Sequence, residues 1–336
     1  MLSQINSHHR DSMIKFDEGP HVYTIIDDPH SKYTSCTTFI HHLFGQFNAD
    51  NVIDKMMKSD NWPQSKYFGK SKDEIKSLWD QNRIIASTSG TNMHKNIEMF
   101  LNGEIQLSEL EPNPDMKHFV SFYNNYGNKL KSYRSEWMIY DSDLKIAGSI
   151  DYATLNEDQT LDLYDWKRST EIKKENRWQS GKYPIQHIPD CNYWHYSLQL
   201  NLYKALLEKN YQKKIRSMFL VILHPNFDDY QILQVPDLSN EIGLIFNYRL
   251  EQLSKGSTKR TLETNESPES SGSSEYTESE PKPKKTPNIE PPMEVPHSVQ
   301  TITSESKPNR IVVGNKIFFK RSSTINTTPV SGTCYL

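Results

Sequence analysis

Two short runs, Gly148-Ser149-Ile150-Asp151 and Tyr164-Asp165-Trp166-Lys167, set charge inside apolar, β-prone sequence and constrain this chain more than any other feature. Lys145-Ile146-Ala147 leads into the first run and Leu161-Asp162-Leu163 into the second. Strand side chains alternate, so Asp165 and Lys167 emerge on one face and Trp166 on the other. A hairpin across Asn156-Glu157-Asp158-Gln159 brings Asp151 toward Asp165. Two carboxylates and a lysine in one small space are costly to assemble unless a metal ion neutralises the acids. The arrangement suits a hard divalent cation and phosphodiester hydrolysis. Asp-x-Lys alone is a weak signal, and a solvated hairpin edge with an ion pair is the plain alternative. The place of Asp165 and Lys167 in the more buried part of a sheet favours a site.

A chain of 336 residues holds one large or two modest domains. Its net charge of -3 gives no global basic footprint, so any nucleic-acid surface is a local patch. Cys36, Cys191 and Cys334 are too few and too scattered for a disulfide framework or a four-cysteine iron–sulfur or zinc site. No apolar run approaches a membrane span and the N-terminus lacks a secretory h-region. The expectation is an intracellular protein without a membrane partner; nucleus, mitochondrion and viral replication site are all compatible with it.

Composition divides the chain into a loose polar arm at 1–13, a mainly helical N-terminal subdomain at 14–88, a core at 89–255 and a tail at 256–336. Phe16 to Ile26 reads as a turn into a short strand, and Tyr33 to Phe44 as a loop entering a helix capped by Ser35 or Thr37. Helices are expected at 49–60, 71–85, 90–102, 114–130, 192–209 and 238–254. Strands are expected at 133–141, 144–155, 160–167, 216–223 and 229–235. This order predicts an α/β fold, a central mixed sheet flanked by helices. The tail is rich in Ser, Glu, Pro and Lys and is read as disordered. Within it, Arg310 to Lys320 is a β-prone block that is either a chance apolar island or a docking motif for a protein partner.

Upstream of the acids, Gly90-Thr91 looks like a helix start, which puts His94 and Glu98 one turn apart on one face. A neutral imidazole suits a divalent metal and Glu98 could orient it, although a lone helical histidine is more often structural. Downstream, Leu198, Leu202, Ala205 and Leu206 form a helical apolar stripe with Gln199 and Tyr203 at its polar edge. Cys191, His195 and the nearby His187 make a poor zinc site because Pro189 interrupts their geometry. The pairs His8-His9 and His41-His42 read as ordinary polar residues.

Taken in order, these pieces resemble the PD-(D/E)XK nuclease superfamily, in its RecB-like branch, which includes lambda-type and mitochondrial genome-maintenance-type exonucleases. The matching residues are Gly90-Thr91-x-x-His94 with Ile97-Glu98, Glu136, Ala147 to Asp151, Asp165-Trp166-Lys167, and Gln199-Leu200-x-x-Tyr203. The resemblance spans roughly residues 88–225, and Tyr33 to Ile40 looks like the S-x-T helix entry preceding such domains. It implies a restriction-endonuclease-like core and one or two Mg²⁺ or Mn²⁺ ions held by His94, Asp151, Asp165 and the backbone carbonyl of Trp166, with Glu136 as a further candidate. Lys167 would orient and help deprotonate the attacking water or stabilise developing charge. Gln199 and Tyr203 would position Lys167 or the scissile phosphate. The iron–sulfur cysteines that some RecB-like enzymes carry are missing here.

Phosphate contact would fall to Arg168, Lys173, Lys174, Arg177 and Lys182, interleaved with Trp178 and Tyr183 as stacking surfaces, although each taken singly reads as solvated loop. Expected is a metal-dependent deoxyribonuclease, an exonuclease before an endonuclease, working on single-stranded or duplex ends in DNA replication, recombination or repair. A structure-specific endonuclease, an inactive nuclease fold serving as a DNA-binding scaffold, and an RNA substrate are the alternatives.

Overall fold

A pair of buried donors orders the first residues of the chain. The computed structural model describes residues 1–263, 310–313 and 316–319. Residues 1–13, expected as a loose arm, instead form helix α1 (Leu2–Ile5) and a 3₁₀ turn at His9–Met13. The Asp11 carboxylate accepts hydrogen bonds from the Arg134 guanidinium at 2.7 Å and the Trp137 indole at 3.1 Å. Both donors are largely or wholly buried, so leaving them unpaired would cost about 1–3 kcal/mol each. That requirement holds the arm down.

Two strands, β1 (Ile14–Asp17) and β2 (Val22–Ile25), then form an antiparallel hairpin. The short β3 (Thr34–Ser35) leads into α2 (Cys36–His42), which Ser35 caps through its hydroxyl to Thr38 N–H. Helices α3 (Ala49–Met57) and α4 (Lys72–Leu101) follow, then α5 (Leu107–Leu110) and α6 (Lys117–Asn125). The helix expected over 114–130 is thus a nine-residue helix with 3₁₀ turns on either side.

Strands β4 (Ser132–Asp141), β5 (Ile146–Leu155) and β6 (Leu161–Lys167) form the antiparallel meander that alternation predicts. From β6 the chain crosses through α7 (Asn192–Asn210) to the parallel β7 (Ile215–Ile222), and the antiparallel β8 (Gln231–Gln234) follows. The result is a mixed α/β fold around a central mixed sheet in the order β3-β5-β6-β7-β8, with β4 on β5. Helix α8 (Ser239–Glu263) runs beyond the boundary expected at 255. The rest of the tail, where disorder was expected, lies outside the described residues, apart from β9 (Arg310–Val313) and β10 (Lys316–Phe319). These pair as an antiparallel hairpin within the β-prone block.

The sheet has a different core on each face. One contains Phe39, Ile40, Leu198, Leu202 and Leu206 from α2 and α7, packed on Ile150, Leu163 and Leu220. The other packs Met93, Ile97, Phe119 and Phe122 on Tyr152, Tyr164 and Trp166. Trp166 thus faces α6, while its neighbours Asp165 and Lys167 face α7. Helix α7 buries Ser197 through Tyr203 without a break, more than the four-residue stripe read from its sequence, because helices as well as the sheet enclose it.

The expected helices at 71–85 and 90–102 are one helix, and the expected domain boundary at 88 falls inside it. A Ser71–Glu74 capping box starts α4, and nothing stops it before Asn102. Gln81 to Thr88 is exposed all round, and Gly90 has no atom within 4 Å of where a Cβ would stand. Helix-interior glycine costs about 1 kcal/mol relative to alanine. Gly90→Ala is therefore expected to raise the melting temperature by about 2–4 °C, measured by circular dichroism.

Candidate metal centre

The site lies where β5 changes partners. Strand β4 pairs along nearly all of one edge of β5. The other edge is shared: β3 takes Ile146 and Ala147, and β6 takes Tyr152 to Leu155. Between them, Gly148 to Asp151 form the crotch of a fork. The next pair in the β5–β6 register would be Asp151 opposite Asp165, but the ladder stops at Tyr152–Tyr164. The Asp151 carboxylate takes over, accepting the Trp166 backbone N–H at 2.8 Å.

Glu136 occupies the matching position on β4. Ser135 pairs with Tyr152 and Trp137 with Ile150, whereas Glu136 drops out of the ladder with φ at 42°. A left-handed non-glycine residue inside a strand costs on the order of 1 kcal/mol or more, and such strain gathers at functional sites. Its carboxylate accepts from the Ser149 hydroxyl at 2.9 Å. Glu136, Asp151 and Asp165 therefore form a row across three adjacent strands.

His94 reaches this row from α4. Its Nε2–H donates to the Trp166 carbonyl at 3.0 Å, leaving Nδ1 at 3.5 Å from Glu136 and 3.7 Å from Asp151. Ligand atoms of His94, Glu136 and Asp151 all lie within 4.8 Å of one another, a group that could hold a metal ion. One imidazole and two carboxylates suit Mg²⁺ or, with nitrogen ligation, Mn²⁺. Three other expected residues lie outside this group of side chains. The Trp166 carbonyl, expected as a ligand, accepts the His94 N–H and so fixes the ring's orientation. Asp165 stands outside the group of three and is paired with Lys167, whose Nζ is 2.6 Å from Oδ2. Glu98 makes no bond to the His94 ring, because both nitrogens already face other groups; burial and the neighbouring Glu136 raise its pKa.

Burial and like charge set the protonation of the centre. Burial pushes the Asp151 carboxyl up to about 7 and Asp165 adds to this, while His94 opposes. Burial works against the His94 charge, yet Asp151 and Glu136 outweigh it and raise its pKa to about 9. Lys167 is held charged by Asp165 and Asp151 in spite of its burial. Neither Asp165 oxygen has a hydrogen bond of good geometry among the described residues, so Lys167 is its counterion at close range.

A cleft of about 390 Å³ opens over the row, lined by His94, Ser149, Asp151, Lys167, Gln199 and Tyr203. Gln199 Nε2 donates to the Tyr203 hydroxyl at 2.9 Å, so the two expected positioning residues act as a unit. Tyr203 packs closely over Gly148, where an added Cβ would sit 2.8 Å from its ring and 2.9 Å from Cys36 Sγ. His21, Tyr23, Thr37, His41, His195 and Tyr196 complete the lining. In the sequence His41 reads as an ordinary polar residue and His195 as part of a poor zinc site; the spacing of His195, one turn before Gln199, is the available signal.

Of the expected phosphate contacts, Lys173, Lys174, Arg177, Trp178 and Lys182 are exposed. Trp178 is 91% exposed, and Asn176 holds its turn through hydrogen bonds to the backbone N–H groups of residues 178 and 179. Arg168 is different, being largely buried and bonded to Asp115 at 3.0 Å, which makes it a structural cation. His187 and His195 bond to Glu241 and Asp190 respectively and share no site with Cys191.

No family model matches the chain, and no curated protein matches it. Among solved structures, that of SSO0001 is 12% identical and aligns over 75% of this chain and 81% of that one, with a TM-score of 0.26. At that score it carries no argument. Among the described residues no helix is long and apolar enough to cross a membrane.

An ion can bind Nδ1 only after His94 loses a proton. His94 is protonated near neutrality because its pKa is raised, so affinity should increase as pH rises toward about 9. Calorimetric titration with Mn²⁺ should show at least about tenfold tighter binding at about pH 8 than at about pH 6.5, with proton release. Asp151→Asn keeps the acceptor for Trp166 N–H but removes a charge that burial and Asp165 disfavour. Its metal-free melting temperature at about pH 8 should rise by about 2–4 °C, while Mn²⁺ should no longer stabilise it.

Proposed function

We propose that this protein is a divalent-metal-dependent nuclease of the PD-(D/E)XK type, acting on DNA ends. The observation that carries the proposal is the row Glu136–Asp151–Asp165 at the fork in the sheet, with His94 over one end and Lys167 beside the other. Each acid has a partner in the metal-free fold, but gathering three of them with one on strained backbone is a costly way to satisfy those partners. Metal-assisted phosphodiester hydrolysis uses such a cluster to hold its cation.

A bound cation would lower the pKa of a coordinated water and draw charge from the phosphoryl oxygens. The protein's own groups do the rest. His94, Glu136 and Asp151 would hold the ion, and the Trp166 carbonyl fixes the His94 tautomer. Lys167, kept charged by Asp165, stabilises the negative charge developing on phosphorus. The Gln199–Tyr203 pair closes the floor of the cleft. Lys173, Lys174, Arg177 and Lys182 offer phosphate contacts on the adjoining loop, and exposed Trp178 offers a face for an unpaired base. The hairpin at 310–319 is retained as the segment for a protein partner.

The test is degradation of end-labelled linear DNA beside covalently closed circular DNA, with Mg²⁺, Mn²⁺ or EDTA. Wild-type protein should consume the linear form only with a metal, and Lys167→Ala should lower the rate at least about 10²-fold. Cleavage of the circle would assign an endonuclease. Binding without cleavage of either DNA would assign a scaffold or an RNA enzyme.

A further inference from the structure

The cleft holds a second histidine–carboxylate pair that the metal centre does not use. His195 is on α7 one turn before Gln199 and two before Tyr203, so the three form a stripe along one face, and all of them line the cleft. Its Nε2 is 2.9 Å from Asp190 Oδ1, and the two side chains are only 19% and 15% exposed. The imidazole packs on the Phe44 ring with centroids 3.9 Å apart, which fixes its plane. Asp190 is itself anchored, its N–H donating to the Gln179 carbonyl and its carbonyl accepting from Asn176 Nδ2 at 2.7 Å. A carboxylate that orients one imidazole nitrogen and leaves the other for the substrate is the arrangement used in proton transfer.

We propose, on the nuclease reading above, that His195 is the catalytic acid that protonates the leaving oxygen, with Asp190 as its positioning residue. Hydrolysis of a phosphodiester needs an activated water, relief of charge on phosphorus, and a proton for the departing alkoxide. The metal centre and Lys167 address the first two. For the third, Lys167 is engaged by Asp165 and His94 by the acidic row and the Trp166 carbonyl; of the other histidines lining the cleft, His21, His41 and His195, His195 is the one hydrogen-bonded to a carboxylate among the described residues, and its Nδ1 is the proton donor. As the water oxygen bonds to phosphorus and the bond to the leaving sugar oxygen breaks, the Nδ1 proton passes to that oxygen and yields a hydroxyl. The proton of the attacking water goes to solvent, from which His195 is recharged.

The charged and titratable groups acting on the ring are Asp190 from the loop and His41 from α2, whose ring is 5.6 Å away. In the free protein burial holds the His195 pKa below its usual value and His41 adds to this, with Asp190 opposing. The phosphate of a bound strand supplies the negative charge that favours the imidazolium. Activity should therefore fall on the alkaline side as this group loses its proton.

The experiment uses the full chain with Mn²⁺ and two linear DNAs. One is ordinary; the other carries bridging phosphorothiolates, 3′ or 5′ according to which oxygen the wild-type products show to leave. Sulfur departs as a thiolate and needs no proton. His195→Gln should lower kcat on ordinary DNA by about 10²–10⁴-fold, leave KM unchanged, and restore near-wild-type rates on the sulfur-bridged DNA. Asp190→Asn should lose less, in the same substrate-selective way, and shift the alkaline limb of the pH profile. Equal loss on both DNAs in both variants, or no loss in either, overturns the assignment and leaves a staple between loop and helix. Wild-type protein inactive on both DNAs overturns the nuclease reading itself, and this assignment with it.

Discussion

The whole site depends on how the free edge of β5 is divided. A strand offers two hydrogen-bonding edges, and β4 occupies one almost completely. The other cannot pair continuously, because β3 and β6 approach it from opposite ends and leave Gly148 to Asp151 between them. Backbone groups left this way need other partners. The Asp151 side chain supplies one by accepting the Trp166 N–H, which also sets how far β6 diverges. The gap that results admits the α7 side chains from one direction and His94 from the other. Gly148 is part of the same constraint, since any larger residue would push Tyr203 and Cys36 away from the crotch.

Charge is the second constraint, and it works against the fold. Asp151, Asp165 and Lys167 are all largely buried, and buried ion pairs seldom repay their desolvation in full. The aromatic cluster on the opposite face supplies the offset. Trp166 packs edge-on against Phe119 and Phe122 and stacks with Tyr152, fixing the backbone from which Asp165 and Lys167 project. Alternation along a single strand thus gives one face to stability and the other to chemistry. The left-handed backbone of Glu136 belongs to the chemical side of that division.

Much of this was legible in the residues. Period-two alternation located β4, β5 and β6 to within a residue or two, and the Asp151–Asp165 approach followed from the hairpin register. The Ser35 cap was visible because its geometry is local. What could not be read depended on tertiary context. Gly90 looked like a helix start because glycine breaks local propensity, yet packing at both ends of α4 carries the helix through it. The arm at 1–13 looked loose because its anchors, Arg134 and Trp137, are more than a hundred residues away. Arg168 looked like a phosphate ligand until Asp115, remote in sequence, was found to hold it. That Glu136 joins His94 and Asp151 while Asp165 pairs with Lys167 depends on the angle at which His94 enters, which no spacing encodes.

Helix α4 has a mechanical consequence. Its 30 residues make a rod about 45 Å long, with His94 near one end and the contacts to α3 and Tyr67 at the other. The exposed span between them touches nothing that could absorb a change in length. Helical phase therefore helps set the orientation of the outer helices relative to the acidic row, together with the short 43–48 link that joins them to α2. A one-residue deletion between Gln81 and Thr88 would turn the far end of α4 by about 100° relative to that row, whereas removing seven would nearly restore its bearing about 10 Å closer in. Whole-turn changes would thus disturb the outer helices least, making α4 a spacer whose length is set separately from the chemistry at its other end.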